Sequence, residues 1–311
     1  MALLTRRTFL RRAGGGALST AGLGGYAFGA EPNWRLGVTR YAPTPPGWPA
    51  ALGLKIAAIA DLHACRPMMG PERIRQIVDL TNAEAPDLVA ILGDFNGAHN
   101  FVTGPVWPEE WAAELARLRA PLGIFAVLGN HDFWHGPLPT MRGDDGESIR
   151  RALKAAGIRV LENAAQQVTT PRGAFWIAGL GDQMAHHTGR GFFNGIDDLP
   201  GTLRQVTDEA PVVLLAHEPF IFRRMSPRVS LTLCGHTHGG QVYIPGIGAP
   251  VAYLRMEREF VYGHVVAGDQ HMIISAGLGT SILPVRFLRP PEVVVVTLGG
   301  EVLADLGNRL I

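Results

Sequence analysis

The run Leu54-Lys55-Ile56-Ala57-Ala58-Ile59-Ala60, closed by Asp61-Leu62-His63, decides how this chain folds. It is apolar at every position but Lys55, as a strand covered on both faces of a mainly parallel sheet should be. It then stops at a carboxylate and an imidazole two residues apart. In extended backbone, side chains at i and i+2 point the same way, so Asp61 and His63 face one point beyond the strand end.

The same grammar recurs on the C-terminal side of this run. Pro71 and Glu72 open a helix with Ile74, Ile77, Val78 and Thr81 on one face. The buried strand Asp87 to Leu92 ends in Gly93-Asp94. A helix from about Glu109 to Arg119 leads to the strand Gly123 to Leu128, which ends in Gly129-Asn130-His131-Asp132. A third helix, Glu147 to Ala156, stops at Gly157. Strands alternating with helices, each strand ending in polar residues, predict βαβ architecture with a ligand crevice at the carboxyl ends.

Beyond Val160, strands follow strands. Gln167–Thr170 and Ala174–Leu180 read as a hairpin around Pro171-Arg172-Gly173. Val212 to Ala216 ends in His217-Glu218-Pro219, and Val229 to Cys234 ends in Gly235-His236-Thr237-His238-Gly239-Gly240-Gln241. Phe260–Val266, Met272–Ser275 and Val293–Leu298 complete a strand-rich second half. The loop Gly181 to Pro200, with His186, His187, Phe192 and Phe193, has the length and composition of a flap over a site. We expect a leader over 1–30, a surface linker over 31–53 (rich in Pro, Gly and Trp, without period) and one domain over 54–311.

The chain has 311 residues, 47% hydrophobic and 18% charged, enough to bury a sizeable core. Its formal net charge is +1, but four arginines lie in the first 12 residues; without residues 1–30 the count is 24 basic against 27 acidic, or −3. No basic face remains, so nucleic acid is not an expected partner. Thr5-Arg6-Arg7-Thr8-Phe9-Leu10-Arg11 matches the twin-arginine export pattern, followed by an apolar, glycine-rich stretch to Ala30. Those glycines make a poor transmembrane helix. The expectation is export by the twin-arginine machinery to the periplasm or the outer face of the inner membrane, the leader being either cleaved or kept as an anchor. Cys65 and Cys234, the only cysteines, each lie two residues from a histidine. They read as small buried residues, with a disulfide in an oxidising compartment as the alternative.

Five strand ends thus carry Asp61/His63, Asp94, Asn130/His131/Asp132, His217 and His236/His238. A single His-x-His pair means little, but polar residues tidying loops do not explain five such ends in series. The series Asp-x-His, Gly-Asp, Gly-Asn-His-Asp, His and Gly-His-x-His resembles the calcineurin-like metallophosphoesterase superfamily, over essentially Leu54 to Leu298. Gly235–Gln241, and Ser275-Ala276-Gly277-Leu278-Gly279-Thr280-Ser281 followed by Pro284-Val285-Arg286, resemble its branch of exported or membrane-attached bacterial phosphoesterases.

The resemblance implies an α/β fold, a four-layer αββα sandwich, and two divalent metal ions. Asp61, His63, Asp94 and His238 would hold the first ion; Asp94, Asn130, His217 and His236 the second, with Asp94 bridging. Two cations about 3.5–4 Å apart clamp an in-line displacement at phosphorus and hold the attacking water as hydroxide. Nitrogen and oxygen donors without thiolate suit Mn, Fe, Zn or Co alike. His131 would sit beside the scissile phosphate and help the leaving oxygen depart, with Asp132 orienting it and favouring its protonated form. Arg286, His186 and His187 are candidate substrate contacts, a salt bridge being the plainer role for Arg286. His99, His135, His264 and His271 belong to no motif. Two positions depart from the pattern: Gly97 stands where many relatives have a second Asp, and Ala276 where they often have a basic or bulky residue.

The expected reaction is hydrolysis of a phosphodiester or pyrophosphate in a phosphate ester that is lipid- or nucleotide-linked. One alternative is a UDP-2,3-diacylglucosamine-type pyrophosphate hydrolase of lipid A metabolism, whose substrate is cytoplasmic. Another is a non-catalytic exported scaffold, whose mark would be lost ligands; here every ligand position is filled.

Overall fold

The computed structural model describes residues 21–134, 136, 143–189, 191–254 and 256–300. The Thr5–Arg11 pattern and His135 lie outside the described residues. Two six-stranded sheets carry the fold. The first is built from β1 (Gly37–Tyr41), β2 (Leu54–Ile59), β3 (Leu88–Leu92), β4 (Ile124–Val127), β5 (Arg159–Val160) and the late strand β12 (Glu292–Leu298), in the order β1-β12-β2-β3-β4-β5. The second is built from β6 (Ala164–Thr170), β7 (Gly173–Gly179), β8 (Val212–Leu215), β9 (Leu231–Cys234), β10 (Gly263–Ala267) and β11 (Gln270–Ile274), in the order β10-β11-β9-β8-β7-β6.

The uniformly apolar strands are covered on both faces, and their side chains divide by parity. Ile56 and Ala58 of β2, Leu88 and Ala90 of β3, and Phe125 and Val127 of β4 face Phe175, Val213, Leu215, Leu231 and Leu233 of the second sheet in one central layer. The alternate residues Ala57, Ile59, Val89, Ile91 and Ala126 pack outward under the helices α1 (Pro71–Ala83), α2 (Pro108–Leu115) and α3 (Glu147–Ala155). On the far side of the second sheet, Trp176, Ala178, Val212 and Leu214 meet Leu199 of a short helix and Ile221 and Phe222 of a 3-10 turn. Helix, sheet, sheet, helix: this is the four-layer αββα sandwich. Strands β2, β3 and β4 are parallel, as are β7, β8, β9 and β11. The carboxyl ends of both parallel sets therefore lie along one crevice.

Residues 31–53 are not a linker in the structure. Gly37–Tyr41 pairs in parallel with Glu292–Val296 as an edge strand, and Trp48 and Leu52 are buried in the layer between the sheets. Before them, residues 21–34 are helical. This helix is pinned where Arg286 N–H donates to Ala27 O and where the buried Glu31 carboxylate accepts the backbone N–H groups of Leu288 and Arg289. The expected flap contains a small hairpin, His186–Gly189 against Phe192–Asn194.

Candidate metal centre

Each strand carries its chain to the crevice and then turns sharply. Of the residues expected to hold metal, Asp61, His63, Asp94, His236 and His238 all have positive φ, between 47° and 70°. Such backbone costs of order 1–3 kcal/mol per residue outside glycine and persists where the surroundings fix it, which is characteristic of functional sites. The tight turn after β3 depends on Gly93, at φ 88°, where a Cβ would lie 2.5 Å from Gly129 N. A Cβ on Gly129 would in turn strike the Asp94 carboxylate at 2.4 Å and the His217 ring at 2.6 Å.

The seven side chains expected as ligands are brought together. Asp94 Oδ2 lies 3.4 Å from His63 Nε2 and 3.2 Å from His217 Nε2, so one carboxylate oxygen stands between imidazoles from opposite sheets. His63 Nε2 and His238 Nε2 are 3.0 Å apart, and His238 Nε2 is 3.9 Å from Asp61 Oδ1. His236 Nδ1 lies 3.0 Å from Asn130 Oδ1. Tautomers are fixed from behind: His63 Nδ1 is 2.8 Å from Asn96 O, and His217 Nδ1 is 2.6 Å from Leu92 O. A ring that donates from Nδ1 to a carbonyl presents the Nε2 lone pair to the centre, as a metal ligand must.

The electrostatics fit neutral His63 and His236 and an ionised Asp94, whereas His217, although burial lowers its pKa, is held well above the usual imidazole range by the Asp94 charge. Burial lowers the pKa of His63 to about 3 and that of His236 to about 4, which keeps both imidazoles neutral. Burial works against the charge of Asp94, yet His217 and His131 outweigh it and hold its carboxyl well below the usual range. Asp61 is pushed up to about 7, chiefly by burial and also by the neighbouring Asp94 charge, against the opposing effect of His217. Asp61 Oδ2 and His217 Nε2 are buried without a hydrogen-bond partner. A buried polar atom left so costs about 1–3 kcal/mol. Divalent cations among these atoms satisfy both, so the residues present fit a dinuclear centre. Among the described residues, three sets of donors lie close enough to hold an ion: Asp61, His63 and His238; Asp61, Asp94 and His217; and His217, Glu218 and His236.

Two expectations are corrected. Asp132 does not orient the His131 ring: its carboxylate accepts backbone N–H groups of Asp94, Phe95, Asn96 and Gly129, tying the ends of β3 and β4 together. His131 instead has its backbone N–H on Asp94 Oδ1, its ring 5.1 Å from that of His63 and 5.0 Å from that of Trp134, and its pKa lowered by burial. Arg286 does not reach the substrate region. It is fully buried, donates to the carbonyls of Ala276, Gly279 and Arg289, and approaches His238 Nδ1 at 3.5 Å. Ala276 is buried beside it. Cys65 and Cys234 are both free thiols, the first beside His99 and the second beside Met272. Gly97 now has a steric reason, since a Cβ there would lie 2.6 Å from that of Cys65.

Glu218 is the residue that sequence reasoning passed over. It is fully buried, it shares a donor set with His217 and His236, and its Oε1 has no partner. The signal was its place directly after His217 at a strand end, masked because a glutamate there also reads as an ordinary loop residue.

The centre opens into a cleft of about 710 Å³ whose floor includes Asp94, Asn130, His131, His236 and His238. One wall is aromatic: Trp134 stacks on Phe193 at 5.3 Å, with His187 edge-on to Phe193 at 4.9 Å. His187 thus reaches the cleft, as expected of the flap, whereas His186 is exposed outside it, near Phe133 and Asp145. The lining also includes Phe220, Val251, Met256 and Ile282.

Comparison with known proteins agrees with this geometry. Residues 54–240 match the calcineurin-like phosphoesterase family. An uncharacterized metallophosphoesterase of Aquifex aeolicus is 32% identical over 267 residues, covering 86% of this chain and 93% of its own length. The uncharacterized metallophosphoesterase YkuE of Bacillus subtilis is 30% identical, covering 96% and 99%. The phosphodiesterase YaeI of Escherichia coli is 29% identical, covering 95% and 100%. The chain belongs to the calcineurin-like phosphoesterase family and is a metal-dependent phosphoric ester hydrolase.

Proposed function

We propose that the chain hydrolyses a phosphodiester, with water as nucleophile, at a centre of two divalent cations. The observation that carries this reading is Asp94 Oδ2, placed between His63 Nε2 and His217 Nε2. Asp61, His63, Asp94 and His238 would hold one ion; Asp94, Asn130, His217 and His236 the other. The donors are nitrogen and oxygen throughout, which suits Mn, Fe, Zn or Co. When bound, such cations supply Lewis acidity and lower the pKa of water.

The chain's own residues do the remaining work. His131 lies on the cleft floor and is the group placed to meet the leaving oxygen, donating a proton to it or stabilising its charge. Asp132 holds the two strand ends so that Asp94 and Asn130 stay in register. Trp134, Phe193 and His187 offer a flat apolar surface to the organic part of the ester. The name of the Escherichia coli relative supports a diester. A UDP-diacylglucosamine-type pyrophosphate is the second reading, which the aromatic wall favours because it suits a base or an acyl chain. The Arg6-Arg7 pair supports export by the twin-arginine route; an Arg6→Lys/Arg7→Lys variant is expected to stay in the cytoplasmic fraction, and unchanged export would contradict that part.

The test is turnover by chelated protein resupplied with one metal at a time. Bis(4-nitrophenyl) phosphate hydrolysis should return with at least one of the four metals and fall roughly 10²–10³-fold in Asp94→Asn. Equal rates in the variant would contradict the proposal. Release of UMP from the nucleotide lipid without diester turnover would move the substrate to the second reading.

A further inference from the structure

Three chain segments are laced together by hydrogen bonds, and two of them, 242–254 and 281–289, contribute to the cleft lining. Phe287 N–H donates to Gln241 O and Tyr243 N–H to Phe287 O, while Gln241 Oε1 accepts Ser281 N–H. The helix over 21–34 docks on the same 286–289 strip through Ala27 and Glu31, with Tyr26 edge-on to Phe287 at 6.2 Å. Among the described residues, ten of the fourteen exposed large hydrophobic side chains fall on these segments (21–34, 242–254 and 281–289). Single exposed apolar side chains are ordinary, but a clustered set marks an interaction surface. The helix contributes Leu23, Phe28 and Trp34, and the loop contributes Leu254. Val251 and Ile282 are at once exposed and part of the cleft wall, so the exposed apolar set (the collar) reaches the cleft.

We propose that this collar docks on the surface of a phospholipid bilayer containing anionic lipid, which sets the cleft mouth at the interface, to receive the phosphate ester of a membrane lipid. The substrate part rests on the phosphoesterase reading above; the docking part does not. Two observations select a bilayer. In sequence, residues 1–20 lead directly into the helix over 21–34, and residues 1–30 contain four arginines and no acidic residue, which suits an anionic surface. No helix among the described residues is long and apolar enough to cross a membrane.

The experiment is co-sedimentation of the full chain with vesicles of phosphatidylcholine and phosphatidylglycerol, comparing wild type with Trp34→Glu/Leu254→Glu. These two side chains are 79% and 84% exposed and lie outside the cleft wall. Wild type should partition to vesicles, and the variant at least tenfold more weakly. A second pair, Phe28→Glu/Ile247→Glu, should reproduce the drop, which guards against one pair misfolding. Absence of wild-type binding, or binding by both variants equal to that of wild type, overturns the proposal. So does a wild-type dimer in lipid-free sedimentation velocity that the variants dissociate, because a second copy then covers the collar. Bis(4-nitrophenyl) phosphate is hydrolysed in solution, so wild type and variants should turn it over alike. Vesicle binding without any such turnover would defeat the phosphoesterase reading and leave the docking standing.

Discussion

At the scale of single residues, the site depends on side chains that look alike in sequence and do different work. His131 and His63 belong to similar strand-end motifs, yet only His63 has its Nδ1 on a carbonyl and its Nε2 turned to Asp94. His131→Ala is therefore expected to keep both metals while turnover falls about 10²–10⁴-fold, the usual range for a general acid; loss of metal on elemental analysis would make it a ligand. Asp132 is a carboxylate spent on four amides. Replacing it with Asn puts N–H groups against N–H groups, and hydrogen bonds to a charged group are worth about 1.5–3 kcal/mol each. Asp132→Asn should lower the urea midpoint and weaken metal retention together; a variant with normal stability and only slower turnover would restore the orienting role. Gly129→Ala should empty the centre without unfolding the chain, since its Cβ meets Asp94 and His217. The side chains that converge on the centre were legible because each follows a buried strand. The roles of Asp132, Arg286 and Glu218 were not, because whether a charged side chain reaches backbone, cleft or a buried neighbour is set by residues far away in sequence.

At the scale of elements, the interior strands announce themselves. Leu54–Ile59, Leu88–Leu92 and Val212–Leu215 are almost wholly apolar because both faces are covered. Gly37–Tyr41 gives no such signal. It is half-exposed at a sheet edge, and its partner β12 lies some 250 residues away, so neither alternation nor spacing marks it. The flap hairpin was visible only as composition, since its strands are short and mostly exposed. Its function rests on the Trp134–Phe193 stack. An aromatic pair of this kind contributes about 0.5–1.5 kcal/mol, so Phe193→Ala should raise KM for a bulky aryl diester by roughly two- to tenfold with kcat little changed. Unchanged KM would remove the aromatic wall from substrate binding.

At the scale of the whole molecule, the two sheets share one apolar layer and jointly frame the centre, which explains why ligands come from sequence positions as distant as Asp61 and His238. Metal is thus coupled to the packing of one sheet on the other. Ions at about 100 times their Kd contribute about 2.7 kcal/mol per site. For a chain of this size 1 kcal/mol moves Tm by roughly 2–4 °C, so chelation should lower Tm by several degrees, and re-addition of metal should restore it. The central claim is a pair of ions that share Asp94, and anomalous diffraction from metal-loaded crystals tests it most directly. Two anomalous peaks are expected to flank Asp94 Oδ2, one beside Asp61, His63 and His238, the other beside Asn130, His217 and His236. A single peak, or two peaks that Asp94 does not separate, would contradict it.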